Sequence, residues 1–472
     1  MSEKASVKRA GLGYVIGNYF IRGIGFLTLP IFSRLMSTED FGIYNTYLSY
    51  ETILFVFVGL ALHTSYKNAF VKFENSFNEY VSNTILLSII NTLFFLVLGL
   101  LVSWIYPKLT LIYMVLLVIH AFATAIITDY NSYVSLYFKS GSYVKMSSAN
   151  AIGNILLSLI LILTVFKGDR SMGRIVGTVL PTLIIALILI FHFFKSRRPT
   201  LKREHTRFAL NYSIPLIPHG ISQVILSSVD RIMIANMVGN AEAGIYSFAY
   251  TIYSLVAVTF SSLDQVWAPW FYRQYKKGDK TLIRLRASQY AWAMGIFTAL
   301  IILVSPEIIL IVGSETYRES SYIVIPIVIG GYFSFLYTLP AIIEYYFEKT
   351  KYIAGSTLLA ALVNIALNYF CIISFGYQAA AYTTLVTYAL YFILHYYISY
   401  RISQRQSLYD TKQLLLIIAF LVLIGLLAQI FLENLLVRIL LLAVLTLISC
   451  FYLWRKFKVP IMEKIHRKSK DD

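Results

Sequence analysis

An acid and a base lie next to each other in an otherwise apolar stretch of this sequence. Asp230 and Arg231 occur within SSVDRIMIANMVGNAEAGIYSFAY, which begins at Ser227. In such surroundings a carboxylate can bind a cation or a proton, and a guanidinium can bind an anion such as a diphosphate. Adjacent helical residues point about 100° apart, so these two side chains cannot pair well with each other. At least one needs a partner elsewhere, which is either a neighbouring helix or a ligand.

The same stretch carries a polar helical face. Residues at spacings of four, four and three share that face: His219, Gln223, Ser227 and Asp230. On this basis Asp230 and His219 are candidates for cation coupling or for a counter-ion role. Gln223 and Arg231 are candidates for contact with a substrate in a cavity.

A second deep base occurs in the first apolar stretch. Arg22 lies about 16 Å from either end of its predicted span, which is too far for its guanidinium to reach the interface. Asn18 lies one turn below on the same face. This pair predicts either a polar stripe that lines an anion-binding cavity or a structural ion pair with a neighbouring helix.

Further candidates are weaker. Tyr47 and Glu51 share a face of the second apolar stretch, Asp264 lies in the eighth, and Lys67 follows the second. We predict that Tyr47 and Lys67 contact substrate, Lys67 as a diphosphate enters, and that Glu51 and Asp264 serve as coupling groups or counter-ions. The alternatives are interfacial packing for the tyrosine and a plain topology signal for the lysine.

The composition identifies the class of protein that must position these residues. The 472-residue chain is 58% hydrophobic and 13% charged, with a mean hydropathy of +0.70. These values do not fit a water-soluble protein of this length. The apolar residues are grouped in blocks of about 20, the length that a helix needs to cross a bilayer. The sequence therefore predicts an all-α, polytopic membrane protein.

Fourteen apolar blocks are predicted to span the membrane. In chain order they are residues 11–32, 42–64, 82–105, 110–136, 146–166, 174–194, 210–236, 243–270, 286–312, 321–346, 353–374, 378–399, 413–431 and 435–454. With the N-terminus inside, 31 of the 40 Lys and Arg residues lie on the cytoplasmic side and 7 on the outer side. This asymmetry favours fourteen membrane spans with both termini cytoplasmic.

The net charge of +17 follows from this topology. The excess of basic residues lies in short cytoplasmic loops such as KSRRPTLKREHTR, which begins at Lys195. We interpret it as a topology signal with contact to anionic membrane lipids, and we expect no nucleic-acid partner.

The chain also repeats itself. Gly42-Ile43-Tyr44 matches Gly244-Ile245-Tyr246 at an offset of 202, and Asn154 and Ser158 match Asn364 and Asn368 at an offset of 210. Both matches superpose spans one to six on spans seven to twelve, which predicts a parallel repeat with two pseudo-symmetric six-helix lobes around a central cavity. The predicted division is an N-terminal lobe at 1–194, a basic linker at 195–209, a C-terminal lobe at 210–400, and two extra helices with a basic tail at 401–472.

The stretch VDRIMIANMVGNAEAGIYSFAY resembles the helix-seven to helix-eight signature of the bacterial oligosaccharide flippases. These form the polysaccharide-export branch of the multidrug/oligosaccharidyl-lipid/polysaccharide exporter superfamily. The Asn18 and Arg22 pattern, SPEIILIVGSETY beginning at Ser305, and the fourteen spans match as well. The resemblance implies translocation of a polyprenyl-diphosphate-linked sugar repeat unit from the cytoplasmic to the outer leaflet of a bacterial cytoplasmic (inner) membrane, for surface polysaccharide biosynthesis. The two-lobe repeat permits alternating access as the mechanism. A coupling cation, sodium or proton, and contacts with a polysaccharide polymerase and glycosyltransferases are further expected partners.

Two other functions stay open at this point. The deep acids Glu51, Asp230 and Asp264 outnumber the two deep bases, Arg22 and Arg231. This excess of acids also suits a cation-coupled multidrug exporter of the same superfamily. A membrane scaffold for glycan-synthesis enzymes is the third reading, but it has no need for buried charges. The sequence contains no HExxH, Walker A or nucleophile-elbow motif, and we expect neither enzymatic activity nor a cofactor or metal site.

Overall fold

Helices account for the architecture of the described part of the chain. A computed structural model describes residues 3–105, 110–196 and 199–449, and no strand occurs within these ranges. The predicted all-α fold is therefore confirmed. Asn18 and Arg22 belong to the first helix, but their side chains lie outside the described residues.

The α-helices are numbered here in chain order. They are α1 Glu3–Leu35, α2 Thr38–Val58, α3 Tyr66–Lys72, α4 Phe77–Ile105, α5 Leu111–Leu136, α6 Ser140–Leu163, α7 Arg170–Ser196, α8 Arg203–Ser213, α9 Ile217–Met237, α10 Asn240–Lys276, α11 Lys280–Val312, α12 Ser321–Leu336, α13 Thr338–Tyr346, α14 Thr350–Phe375, α15 Ala379–Ile402, α16 Thr411–Ile430 and α17 Leu435–Ser449.

About half of these helices are long and apolar enough to cross a bilayer. Nine spans in the described residues meet this requirement, and a tenth arises if α2 and its continuation through Leu62–Lys72, bent by 52°, are one span. The chain is a multi-pass membrane protein. The predicted count of fourteen is consistent with this result, and the exact number stays a prediction.

Two compact units divide the described helices. Unit 1 combines the chain up to Phe248 with Ile353–Thr383, and unit 2 combines Ala249–Tyr352 with the described residues from Thr384 onward. Helix α9 belongs to unit 1 because it packs along α2. The predicted lobe boundaries, at 194 and 210, differ from the boundaries of these two units, and the division into lobes stays a prediction.

An aromatic core holds α3, α4 and α8 together in unit 1. Tyr66 and Tyr80 are fully buried, and their rings meet edge to face with centroids 6.1 Å apart. The Tyr80 hydroxyl shares a 2.6 Å hydrogen bond with Ser65, and the Tyr66 hydroxyl shares a 2.9 Å hydrogen bond with Thr84. Buried tyrosines need such partners, and with them they fix the short helix α3 beside α4.

The repeated Gly-Ile-Tyr triplets meet each other in unit 1. A Cβ atom on Gly42 would lie 1.7 Å from the carbonyl oxygen of Asn240, and one on Gly244 would lie 2.0 Å from that of Thr38. Asn240 and Thr38 are separated by 202 residues, the offset of the two triplets. The starts of α2 and α10 therefore make a reciprocal backbone contact that only glycine allows at these positions. At this contact the sequence repeat is also a structural repeat.

The start of α2 is defined by its own side chains. Ser37 caps the helix by accepting a 3.0 Å hydrogen bond from the Asp40 N–H, and Asp40 accepts a 3.1 Å bond from the Ser37 N–H. The second carboxylate oxygen of Asp40 accepts from the Ser171 N–H at 3.2 Å, at the start of α7. This capping box both begins α2 and fixes it to a second helix of the same repeat.

In unit 2, helices α11, α12 and α16 pack together. The hydroxyl of the buried Tyr332 donates a 3.0 Å hydrogen bond to the Ala291 carbonyl, which joins α12 to α11. The Trp292 indole N–H donates to the Gln413 side chain at 2.8 Å and joins α11 to α16. These bonds satisfy polar groups that apolar surroundings would otherwise leave unpaired.

Candidate functional site: a polar cage around Asp230

Asp230 lies at the centre of a buried polar cluster in unit 1. Its side chain is 1% exposed. The Tyr246 hydroxyl donates to one carboxylate oxygen at 2.7 Å, and the Asn368 amide donates to the other at 2.6 Å. Both carboxylate oxygens thus accept hydrogen bonds from neighbouring helices. Asp230 therefore has partners other than the adjacent Arg231.

A second layer of oxygen atoms surrounds these partners. The Thr383 hydroxyl lies within hydrogen-bond distance of the Asn368 side-chain oxygen and of the Ala380 carbonyl, the latter at 3.0 Å, and can donate its one proton to either. Asn364 is fully buried beside Asn368, with a 3.3 Å contact between their side chains, and no described residue pairs with its amide nitrogen. Carboxylate, amide, hydroxyl and carbonyl oxygens are the ligand set that hard cations prefer. We call Asp230, Tyr246, Asn364, Asn368 and Thr383 the Asp230 cage.

Four helices contribute to the cage. Asp230 is on α9, Tyr246 on α10, Asn364 and Asn368 on α14, and Thr383 on α15. The two asparagines are four residues apart and therefore share one helical face. Because the chain returns to this face from distant positions, the cage exists only when α9, α10, α14 and α15 are packed.

The first repeat has a related polar cluster with the opposite charge. Tyr44 shares a 3.2 Å hydrogen bond with Thr178, and Asn154, with its amide oriented to donate, bonds the Thr178 carbonyl at 3.2 Å. The charged group here is Arg174, whose guanidinium lies 3.5 Å from the Phe32 ring centroid and 5.1 Å from that of Tyr44. One copy thus combines tyrosine, asparagine and threonine with a fixed cation, and the other combines them with an anion.

Arg231 faces a different environment from Asp230. It is half-buried, and its guanidinium donates a 3.0 Å hydrogen bond to the Ser227 carbonyl one turn earlier on α9. His219 and Gln223 are also half-buried on α9. The described hydrogen bonds of Asp230 come from Tyr246 and Asn368, and the predicted roles of Arg231, His219 and Gln223 stay predictions.

The predicted residues of α2 lie in the packed interior of unit 1. Tyr47 is fully buried, donates a 3.1 Å hydrogen bond to the Leu116 carbonyl and stacks on His120 with ring centroids 5.8 Å apart. Glu51 is 6% exposed, and its Oε1 has no hydrogen-bond partner among the described residues. A tyrosine in these surroundings supports packing, whereas the buried, incompletely satisfied Glu51 retains the capacity to bind a cation or proton.

Two further predicted residues belong to neither cluster. Lys67 is exposed on α3 in unit 1, and Asp264 is half-buried on α10 in unit 2. The side chains of Arg22 and Asn18 lie outside the described residues, so their contact with substrate stays a prediction.

Sequence comparison identifies the family. Residues 7–274, more than half of the chain, match the family model described as polysaccharide biosynthesis protein. The chain belongs to this family. It is 23% identical over 381 residues to Lsg locus putative protein 1 of Haemophilus influenzae, covering 75% of this chain and 88% of that protein. It is also 25% identical over 261 residues to the capsular polysaccharide biosynthesis protein CapF of Staphylococcus aureus, covering 54% and 63%.

Solved structures give the fold of this family member. The lipid II flippase MurJ in an inward closed conformation matches with a TM-score of 0.73 and 16% identity, over 94% of this chain and 99% of that one. An inward-facing multidrug resistance MATE family transporter matches with a TM-score of 0.64 and 12% identity, over 83% and 98%. The family match confirms the predicted membership of a polysaccharide biosynthesis family, and the solved structures show that the chain shares their fold.

Sequence reasoning missed two charged pairs in unit 2 of this family member. Glu344 and His395 are both fully buried and are joined by a 2.7 Å contact. Glu307 and Arg438 form a two-point ion pair, with N–O distances of 2.9 and 2.7 Å, and Arg438 is 6% exposed. Acids near the ends of apolar stretches commonly contact lipid headgroups, but here helix packing gives Glu307 and Glu344 a protein partner each.

We expect Glu344→Ala to destabilise unit 2, because it leaves the buried His395 without its hydrogen-bond partner. The expected cost is about 2 to 3 kcal/mol in the free energy of unfolding. Thermal unfolding of the purified protein in detergent measures this as a lower midpoint. The exposed Glu39 provides the control, since Glu39→Ala should change the stability by less than about 0.5 kcal/mol. Equal midpoints for the two variants would show that the buried pair does not stabilise the fold.

Proposed function

We propose that the protein moves a polyprenyl-diphosphate-linked oligosaccharide from the cytoplasmic to the outer leaflet by alternating access, with a cation or proton bound at the Asp230 cage as the coupling ion. Membership of the polysaccharide biosynthesis family and the flippase fold support the transport class. The observation that carries the coupling role is the buried Asp230 carboxylate within an oxygen-rich cage.

Coupling requires that the site differ between two conformations. Helices α9, α10, α14 and α15 each contribute at least one group to the cage, so any movement among them changes the number of oxygen atoms around the carboxylate. A cation that binds one arrangement more tightly then shifts the population toward it. The buried carboxylate thereby connects an ion gradient to the movement of the helices.

The diphosphate of the substrate requires a cationic contact. Arg22, deep in the first predicted span, is the proposed contact, with Asn18, Arg231, Gln223, Tyr47 and Lys67 as the other predicted substrate residues. A guanidinium matches the geometry of phosphate oxygens and gives two parallel charge-assisted hydrogen bonds.

We expect Arg22→Ala to reduce surface glycan export strongly while the protein remains in the membrane. Loss of a charge-assisted contact of about 1.5 to 3 kcal/mol corresponds to a rate about 10- to 150-fold lower. Arg34 lies on the same helix at an exposed position, so Arg34→Ala provides a matched control that should export normally. Normal export by Arg22→Ala would remove this residue from the substrate site.

The function is tested by reconstitution in liposomes. A polyprenyl-diphosphate oligosaccharide is placed in one leaflet, and its exposure to an impermeant sugar-cleaving enzyme is followed with and without the protein. Accelerated exchange that responds to an imposed sodium or proton gradient supports the proposal. Absence of exchange with several glycans under both gradients would contradict it.

A cation-coupled multidrug exporter is the second candidate. The incompletely satisfied, buried Glu51 favours it, because an acid in the interior of unit 1 suits a cationic drug better than a diphosphate. Cells that lack the protein distinguish the two functions. Only the exporter hypothesis predicts that such cells are sensitive to dyes while their surface glycans are normal.

A further inference from the structure

A basic pocket lies where α3 meets α8, away from the Asp230 cage. The pocket has a volume of about 510 Å³ and is lined by Lys72, Arg203, Glu204, Arg207, Phe208 and Asn211. Both helices belong to unit 1, and α8 begins in the predicted cytoplasmic linker. The predicted topology therefore places the pocket on the cytoplasmic side.

Two distant parts of the chain supply the cations of this pocket. Arg203, Arg207 and Asn211 follow a spacing of four residues and form the exposed face of α8. The opposite face is buried against the aromatic core: His205, Ala209 and Ser213. Lys72 comes from the end of α3. A plain topology signal requires only that basic residues lie in a loop, whereas here packing makes them converge on one cavity.

The pocket is held in place before any ligand binds. The Lys72 ammonium lies 4.7 Å from the centroid of the Phe208 ring and 5.1 Å from that of Phe73. Asn83 of α4 accepts a 2.8 Å hydrogen bond from the Lys202 N–H and donates a 3.1 Å bond to Thr206. These contacts fix the lysine over α8 and fix the first turn of α8 on α4.

The positive charge of the pocket is not neutralised by the protein. Within residues 3–105, 110–196 and 199–449, no acid forms an ion pair with Lys72, Arg203 or Arg207, although Glu204 lines the same cavity. The neighbouring Lys202 differs, because it pairs with Glu79.

His205 adds no charge to this region. Burial, together with the nearby charge of Lys202, lowers the pKa of His205, so its imidazole is neutral at pH 7. Three cations and one acid therefore determine the charge of the pocket, and its net charge is positive.

The end of α8 and the residues that follow it indicate the environment of the pocket. Tyr212, Ile214 and Leu216 expose 36%, 49% and 39% of their surfaces. A charged helical face next to exposed apolar residues is typical of a helix at the membrane interface, where apolar groups reach the acyl chains and basic groups reach the headgroups.

We propose that the pocket of Lys72, Arg203 and Arg207 binds the phosphate of an anionic membrane lipid headgroup. The guanidinium groups can donate paired hydrogen bonds to phosphate oxygens, and the fixed ammonium adds a point charge. A phosphate ester is common to anionic phospholipids and to the proposed lipid-linked substrate, and the experiment separates these two sources. Binding in this pocket does not require that transport occur.

The test compares two variants that each remove one positive charge from the same short segment. Arg207→Gln alters the pocket, and Lys202→Gln alters the neighbouring ion pair. The full-length protein is purified in detergent, and native mass spectrometry measures the retention of phosphatidylglycerol, phosphatidylcholine, a polyprenyl diphosphate and inorganic pyrophosphate. We expect the affinity for phosphatidylglycerol to fall at least about tenfold in Arg207→Gln and less than about twofold in Lys202→Gln.

Each outcome decides the proposal. Tighter binding of polyprenyl diphosphate than of phosphatidylglycerol, lost in Arg207→Gln, supports the site and identifies the substrate as its ligand. Equal retention of phosphatidylglycerol and phosphatidylcholine, equal losses in the two variants, or binding of pyrophosphate alone would overturn it. If Arg207→Gln does not fold, Arg207→Lys keeps the charge, and unchanged phosphatidylglycerol binding after Lys72→Gln in that background would overturn the site. Failure of lipid binding here leaves leaflet exchange in liposomes unaffected, so the two proposals fail separately.

Discussion

Asp230→Asn is expected to uncouple transport from the ion gradient. The substitution keeps the size of the side chain but removes its charge, and with it the only anion of the cage. Coupling free energies of about 1 to 3 kcal/mol correspond to changes of about 5- to 150-fold, so gradient-driven exchange in liposomes should fall by at least about tenfold. The measurement is the exchange rate with and without a sodium gradient, repeated with a proton gradient.

A structural effect of this substitution must be separated from loss of coupling. An asparagine at position 230 accepts with one oxygen only, so one of the two present donors, Tyr246 or Asn368, loses its acceptor. Tyr246→Phe provides the control, because it removes one donor and retains the charge. We expect this variant to keep most of its response to the gradient. A full response in Asp230→Asn would exclude Asp230 as the coupling group.

Composition and periodicity predict the fold class because the bilayer restricts the possible structures. Only helices or closed barrels satisfy backbone groups in lipid, so apolar blocks of about 20 residues determine an all-α architecture. The offset of 202 residues between the Gly-Ile-Tyr triplets predicted the repeat, and the reciprocal contact of Gly42 and Gly244 now gives it a physical reason. The close approach of two backbones requires glycine on both sides.

The cage was only partly predictable. The polar face of α9 identified Asp230, and the repeat drew attention to Asn364 and Asn368, but nothing in the local sequence joins those asparagines to that acid. Their contact depends on the packing of α14 against α9, and helical periodicity carries no information on which helices become neighbours. The hydrogen bond from Tyr246 to Asp230 could not be predicted from the sequence for the same reason.

The position of a residue along a predicted span does not determine what its side chain contacts. Glu344 lies near the end of an apolar block, where headgroup contact is expected, yet it is fully buried against His395. Tyr47, which is predicted to contact substrate, is fully buried against His120, and that contact stays a prediction. In both cases the direction of the helix face toward a neighbour, rather than its depth, determines what the side chain contacts.

Gly244→Ala is expected to open the contact between α2 and α10 and to slow transport. A Cβ at this position would lie 2.0 Å from the Thr38 carbonyl oxygen, and a backbone group of a capped helix start cannot move aside as a flexible side chain can. The two helix starts must therefore separate. If alternating access opens and closes this contact on the predicted outer side, the substitution favours the open state and lowers the rate of leaflet exchange several-fold.

The accessibility of a cysteine introduced at Thr38 measures this opening directly. In the Gly244→Ala background, an impermeant maleimide should label it faster than in the wild-type background. Gly141→Ala is the matched control, because a Cβ there has no neighbour within 4 Å and alanine is the better helix former. The reciprocal variant, Gly42→Ala, should have the same effect as Gly244→Ala, because its Cβ would clash with the Asn240 carbonyl oxygen at the equivalent position of the repeat. Wild-type labelling and exchange rates in both glycine variants would show that this contact stays closed throughout the transport cycle.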